Sequence, residues 1–234
     1  MIAVTFALPS ESSEFVRLLE RESGATAGSH TISGALHGRA VCVLHTGVGE
    51  TATRARIAAF LHEQTPELLI SSGFAGALND QLRVGDLLLA ENYSAPRLAS
   101  VAHSKLDSLR CKTGNLATAA AMIDSASQRR ELAKKKGADA VDMETQFIAQ
   151  ACAAAEIPML SLRAISDTRA APFPAPPHVL FDMKKQKTDL PRLFFYLARH
   201  PATIGRFVVF GRQIVAARRS LADALALLVR DASA

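Results

Sequence analysis

Three carboxylates in this sequence, Glu11, Glu144 and Asp167, each lie just beyond a short apolar run and beside small residues. Glu11 follows Ile2–Leu8 in Pro9-Ser10-Glu11, Glu144 follows Ala138–Asp142 through Met143, and Asp167 follows Met159–Ile165 in Ser166-Asp167. Two glycine-bearing clusters, Thr46-Gly47-Val48-Gly49 and Ser72-Gly73-Phe74-Ala75-Gly76-Ala77, hold the same kind of position. In open α/β sheets ligands bind outside the carboxyl ends of the strands, so these five clusters are candidates to share one site. Carboxyl groups gathered there could give and take protons. Each cluster also has a plain structural use. Ser10 and Glu11 could be the cap and first-turn acid of a helix, Glu144 likewise, and Asp167 could close a turn. The glycines could serve tight turns alone.

The elements that would position these residues follow from periodicity. Apolar runs at Ile2–Leu8, Ala40–His45, Leu68–Ser71, Val84–Ala90, Ala138–Asp142 and Met159–Ile165 read as strands covered on both faces. Between them Glu11–Glu22, Glu50–Glu63 and Glu144–Ala155 carry helical spacing, with Gly24, Pro66 and Pro158 beyond their ends. The alternation predicts a single α/β domain over residues 1–189, with a mostly parallel or mixed central sheet flanked by helices. Asn92–Lys112 reads as an exposed loop, and Thr168–Lys187, with Pro172, Pro174, Pro176 and Pro177, cannot be regular helix. From Leu190 to the end the pattern is helical again and broken at Pro201. Leu193, Phe194, Leu197, Phe207, Phe210, Ile214, Leu221, Leu225 and Leu228 are candidates for one face of this basic tail, residues 190–234.

With 49% hydrophobic and 21% charged residues the chain has enough apolar surface for a packed core, which argues against disorder. The net charge of +5 is a property of the tail, where Arg192, Arg199, Arg206, Arg212, Arg218, Arg219 and Arg230 fall. The tail carries no nucleic-acid recognition motif. It could pack on the domain, on a second subunit, or on an anionic membrane surface. Cys42, Cys111 and Cys152 show no CxxC spacing and suit buried free thiols in a reducing, cytoplasmic setting. The first residues read as a strand rather than a secretory leader, and no apolar run reaches the ~18–20 residues that span a bilayer. No metal-ligand spacing and no dinucleotide fingerprint is present, so neither metal nor cofactor is expected.

Taken together and in order, the clusters Ala7-Leu8-Pro9-Ser10-Glu11, Thr46-Gly47-Val48-Gly49, Ser72-Gly73-Phe74-Ala75-Gly76-Ala77-Leu78 with Val84-Gly85-Asp86, Val141-Asp142-Met143-Glu144 and Arg163-Ala164-Ile165-Ser166-Asp167 resemble one family. It is the nucleoside phosphorylase/nucleosidase superfamily, and within it the methylthioadenosine/S-adenosylhomocysteine nucleosidases. The resemblance implies cleavage of a purine–ribose bond, with Asp167 sharing a proton with the base, Glu11 acting on the attacking water, and Glu144 beside Met143 holding the ribose hydroxyls. It also implies that Ser72, Gly73 and Phe74 line the sugar floor, that Met122 and Ile123 contact the base, that Ser166 lies beside the acid, and that two copies assemble as a dimer. Burial is then expected to raise the pKa of Asp167.

The pattern departs from the nucleosidases in four places. Phe74 replaces a serine, the middle of the chain is shorter than in typical members, Ala120 or Ala121 replaces an aspartate of the base-binding segment, and the tail has no counterpart in compact members. Pro9-Ser10-Glu11 puts a carboxylate where the phosphorylases of the superfamily bring an arginine, which favours water over phosphate, while Arg54, Arg56 and Arg83 keep phosphorolysis open. A basic-tailed member also resembles the hopanoid-associated phosphorylases, which implies a lipid-linked adenosyl substrate. A purine-binding protein without turnover is the alternative from another class, although all three acids are retained.

Overall fold

A computed structural model describes residues 1–21, 30–123, 125–176, 179, 181, 182, 186 and 190–231. The expected boundary between residues 189 and 190, and the helix stop at Gly24, touch residues outside those described. The centre is a mixed ten-stranded sheet. Four parallel neighbours form its middle: β4 (Arg39–His45), β1 (Ile2–Phe6), β5 (Leu68–Ala77) and β10 (Met159–Asp167). Antiparallel pairing begins outside them. β3 (Thr31–Leu36) joins β4 and carries the two-residue β2 (Glu20–Arg21), and β6 (Leu87–Ala90) joins β10. β7 (Lys112–Gly114) extends β6, and β8 (Leu116–Thr118) reaches β5 through β9 (Ala140–Asp142).

Helices cover both faces, as the continuous apolar strands require. Along β1 the side chains alternate: Ile2, Val4 and Phe6 enter one core with Phe15, Val16, Leu221 and Leu225, while Ala3 enters the other with Ile57, Phe60, Ile148 and Cys152. The first face carries α1 (Pro9–Leu18), α3 (Pro96–Leu106) and the last helix, and the second carries α2 (Glu50–Glu63) and α5 (Thr145–Ala154). α4 (Ala126–Lys136) starts at Ser125, whose hydroxyl accepts the Gln128 N–H, and ends at Gly137 in the left-handed conformation. All three cysteines are free and buried.

Several expectations are corrected. The first helix ends at Leu18 rather than Glu22, because the chain turns into β2. Asn92–Lys112 is not an exposed loop but holds α3, started by Pro96 at its first position and anchored by buried Ala102 and Leu106 one turn apart. The strand expected from Val84 begins at Leu87, since Gly85 at φ 90° and Asp86, whose Oδ2 accepts the Arg83 N–H at 2.9 Å, form a turn. Of the stretch Thr168–Lys187, residues 168–176 contain no helix, as their prolines dictate, but Val179 is helical, and most of the remainder lies outside the described residues.

The tail forms α6 (Leu190–Arg199), a 3₁₀ turn at Pro201–Thr203, and α7 (Ile204–Arg230). Its candidate apolar residues do not share one face. Leu221, Leu225 and Leu228 are buried in the main core, Phe210 and Ile214 face the cavity described next, and Phe194 is 76% exposed. The Pro201 break orients the two helices independently, which a single helical wheel cannot represent. Among the described residues no helix is long and apolar enough to cross a membrane.

Candidate active site

Glu11 occupies the third position of α1, after Pro9 at the first. Its Oε2 accepts the N–H groups of Ala7 (3.0 Å) and Leu8 (3.3 Å), closing the helix start from the side-chain end. The capping residue is Leu8 rather than Ser10. Burial pushes the Glu11 carboxyl up to about 7 against these hydrogen bonds and the nearby Arg163 charge, which lower it. Gly73 makes this approach possible. A Cβ there would stand 3.2 Å from Glu11 Oε2 on a backbone with φ 140°.

Glu144 is the N-cap residue of α5, but its side chain makes no capping hydrogen bond. That task falls to Asp142, whose Oδ2 accepts the Thr145 N–H at 3.1 Å. Glu144 is thereby released: Oε1 accepts the Gly49 N–H (2.8 Å) and Oε2 the Met143 N–H (3.2 Å). Each oxygen keeps a second lone pair for a ligand hydroxyl. Burial, with the charges of Asp142 and Glu11 nearby, pushes Glu144 up to about 8. Asp142 is itself paired with Arg163, whose Nη2 lies 3.0 Å from Asp142 Oδ2 and 2.8 Å from Ser71 Oγ, and whose Nη1 donates to Ser71 O at 2.7 Å. This ties β10, β5 and the start of α5 together.

Asp167 ends β10 at a register shift after Ile165, and it is 1% exposed. Ser166 Oγ donates to its Oδ1 at 2.6 Å. Its Oδ2 is ion-paired with Arg129 of α4, equally buried, which also donates to Ala77 O at 3.0 Å. The burial expected of Asp167 thus comes with a partner cation that the sequence does not announce. Gly76 admits the pair, because a Cβ there would lie 3.0 Å from Asp167 Oδ2 and 3.1 Å from Arg129 Nη1.

These groups share a cavity of about 290 Å³, close to the lower size of small-molecule sites. Glu11, Glu144, Met143, Phe74, Met122, Ile123, Ser166 and Asp167 all line it. Ser72 and Gly73 do not; they line a smaller chamber behind Glu11 and Glu144. Phe173, Phe181, Phe210 and Ile214 add an apolar wall. Eight of the ten expected site residues thus come with unexpected neighbours. Arg129 had no usable signal, since Gln128-Arg129-Arg130-Glu131 reads as a solvated helix face, and the wall residues come from a proline-rich segment and the tail. Arg54, Arg56 and Arg83 do not line the cavity among its described residues: Arg54 pairs with Glu50 at 2.7 Å and Arg56 donates to His45 O at 3.1 Å.

The family model of the phosphorylase superfamily matches residues 1–95 and 92–194. A 5′-methylthioadenosine/S-adenosylhomocysteine nucleosidase of Staphylococcus aureus is 26% identical over 163 residues, covering 58% of this chain and 72% of that protein. Among solved structures, a 5′-methylthioadenosine/S-adenosylhomocysteine nucleosidase of S. pneumoniae with a transition-state inhibitor superposes with a TM-score of 0.74 at 19% identity, covering 99% of both chains. Futalosine hydrolase of Helicobacter pylori superposes at 0.72 with 17% identity, covering 97% of this chain and 96% of that one. At those identities the likeness is one of fold, and its length takes in the C-terminal helices that the sequence left without a counterpart. By the match of the family model, this chain belongs to the phosphorylase superfamily.

Proposed function

We propose that the chain is a purine nucleosidase that cleaves the N-glycosidic bond of an adenine nucleoside with water. One observation carries this: Glu11, Glu144 and Asp167 converge on a single cavity in which the lining arginine, Arg129, is already ion-paired with Asp167. Bond cleavage builds positive charge on the sugar and negative charge on the base. The Asp167 carboxylate takes up a proton when the purine binds and passes it to purine N7 as the base departs; this restores the ion pair with Arg129, an interaction regained as the base leaves and so one that lowers the barrier. Glu11, held near neutrality by burial, takes a proton from the attacking water. Glu144 accepts the ribose hydroxyls beside Met143, Met122 and Ile123 flank the base, and Ser166 orients Asp167.

Water is favoured over phosphate because an anion arriving at Glu11 would meet a carboxylate, while Arg163 behind it is committed to Asp142 and Ser71. The nucleosidases among the relatives support the same class. A second version of the substrate is favoured by the wall of Phe173, Phe181, Phe210 and Ile214 together with the exposed Phe194, Phe195, Ile204, Val208 and Val209 of the C-terminal helices. These surfaces suit a nucleoside with a long apolar 5′ substituent taken from an anionic lipid surface, with dimerisation as the competing use of the exposed residues. Release of free adenine from 5′-methylthioadenosine, S-adenosylhomocysteine and an alkyl-chain adenosine, with and without phosphate, tests both versions. Phosphate-free release is expected; strict phosphate dependence would assign phosphorolysis, and turnover of the alkyl substrate alone would select the lipid-linked version.

A further inference from the structure

The first turn of α1, which carries Glu11, is held from two sides by side chains of other elements. On one side Ser12, 1% exposed, lies 2.8 Å through its Oγ from Nε2 of His45, the buried last residue of β4. Ser12 Oγ also donates to Pro9 O at 3.2 Å. That carbonyl can only accept, so the hydroxyl hydrogen goes to it and His45 Nε2 donates to the hydroxyl oxygen. Burial, with the charges of His30 and Arg56 nearby, pushes His45 down to about 4, so the imidazole is neutral. Its main chain is fixed as well: its N–H donates to His30 O at 2.8 Å and its carbonyl accepts from Arg56. On the other side Arg218 of α7 donates through Nη1 to Ser10 O (3.2 Å) and to Ser13 Oγ (3.1 Å).

Ser12, His45 and Arg218 line neither the main cavity nor the smaller chamber, so they reach a ligand only through the turn they hold. That turn needs holding. A buried carboxylate gains by moving into water, and the bonds of Glu11 itself, to the N–H groups of Ala7 and Leu8, reach only four and three residues back and tie the turn to no other element. We propose that Ser12, His45 and Arg218 are positioning residues, a two-sided clamp on the first turn of α1 that keeps the Glu11 carboxylate in its buried place. This rests on the hydrolytic function proposed above. The clamp also joins two walls of the site, because His45 adjoins the loop whose Gly49 N–H holds Glu144, and α7 carries Phe210 and Ile214 of the apolar wall.

The test is the pH dependence of adenine release in phosphate-free solution. The charged groups facing Glu11 are Arg163 and Glu144, and those facing His45 are His30 and Arg56; the variants leave all four in place. His45→Leu and Ser12→Ala are expected to lose kcat by about 10–10²-fold, as misplacement of a reacting group does, with KM within about twofold. Their acid limb of kcat/KM is expected to move from near pH 7 toward the ordinary carboxylate value of 4.5 as the carboxylate reaches water. Arg218→Met is expected to shift the limb in the same direction. His45→Gln, whose amide nitrogen can donate in place of Nε2, is expected to restore both kcat and limb. Adenine binding verifies that each variant is folded, and Ser12→Ala, the smallest change, carries the test if His45→Leu is not. A bond that only stabilises the fold would lower the melting temperature and leave the limb in place. Folded Ser12→Ala with the wild-type limb, or a loss that His45→Gln does not restore, would overturn the inference while leaving hydrolysis standing. Strict phosphate dependence of the wild type would overturn both.

Discussion

Glu11 and Glu144 are acids whose surroundings hold their protons into the neutral range, about 7 and about 8, chiefly because burial disfavours their charged forms. A base that must be ionised gives kcat/KM that rises with pH through the pKa of the free enzyme. The acid limb of kcat/KM is therefore expected near pH 7 rather than near 4.5, and a limb below pH 5.5 would remove Glu11 from the role of base. The same groups shape stability. Both folded pKa values lie above the unfolded one, so the folded protein binds more protons between them, and the stability they contribute is complete below about pH 4.5 and lost as pH rises through about 7 and 8. Melting curves should show Glu144→Gln losing less stability than wild type between pH 5.5 and 8.5; equal losses would contradict the raised pKa. At this scale the three acids were legible because each follows a strand. The ion pair of Asp167 was not, because Arg129 comes from a helix whose sequence looks wholly solvated.

The central elements were legible for a physical reason. β1, β4, β5 and β10 are buried on both faces and so read as continuous apolar runs. β3, only partly buried, alternates poorly around Gly34, and α3 reaches the core with little more than Ala102 and Leu106, so neither announced itself. The tail was legible as helix but not in its allegiance. Leu225 is fully buried in the main core, whereas Phe194 on α6 is mostly exposed. Leu225→Ala should cost about 2–5 kcal/mol, and Phe194→Ser within about 0.5 kcal/mol, as read from denaturant midpoints. A small effect at Leu225 would mean that α7 is an appendage rather than part of the core.

At the scale of the whole molecule, the parallel β1 and β10 and the antiparallel β9 bring Glu11, Asp167 and Glu144 from three distant parts of the chain to one end of the sheet, where α4 and α7 close the cavity over them. Burial there serves two ends: it tunes the acids, and it strengthens every charge interaction that forms as the bond breaks. The division of labour can be checked in one experiment. Adenine release from 5′-methylthioadenosine is followed in phosphate-free H₂¹⁸O for wild type, Glu11→Gln and Asp167→Asn, with the sugar analysed for label. Wild type is expected to place ¹⁸O on the anomeric carbon, and each variant to lose turnover by at least about 10²-fold while still binding adenine. Unlabelled sugar, or turnover undiminished in either variant, would contradict acid–base hydrolysis at this site.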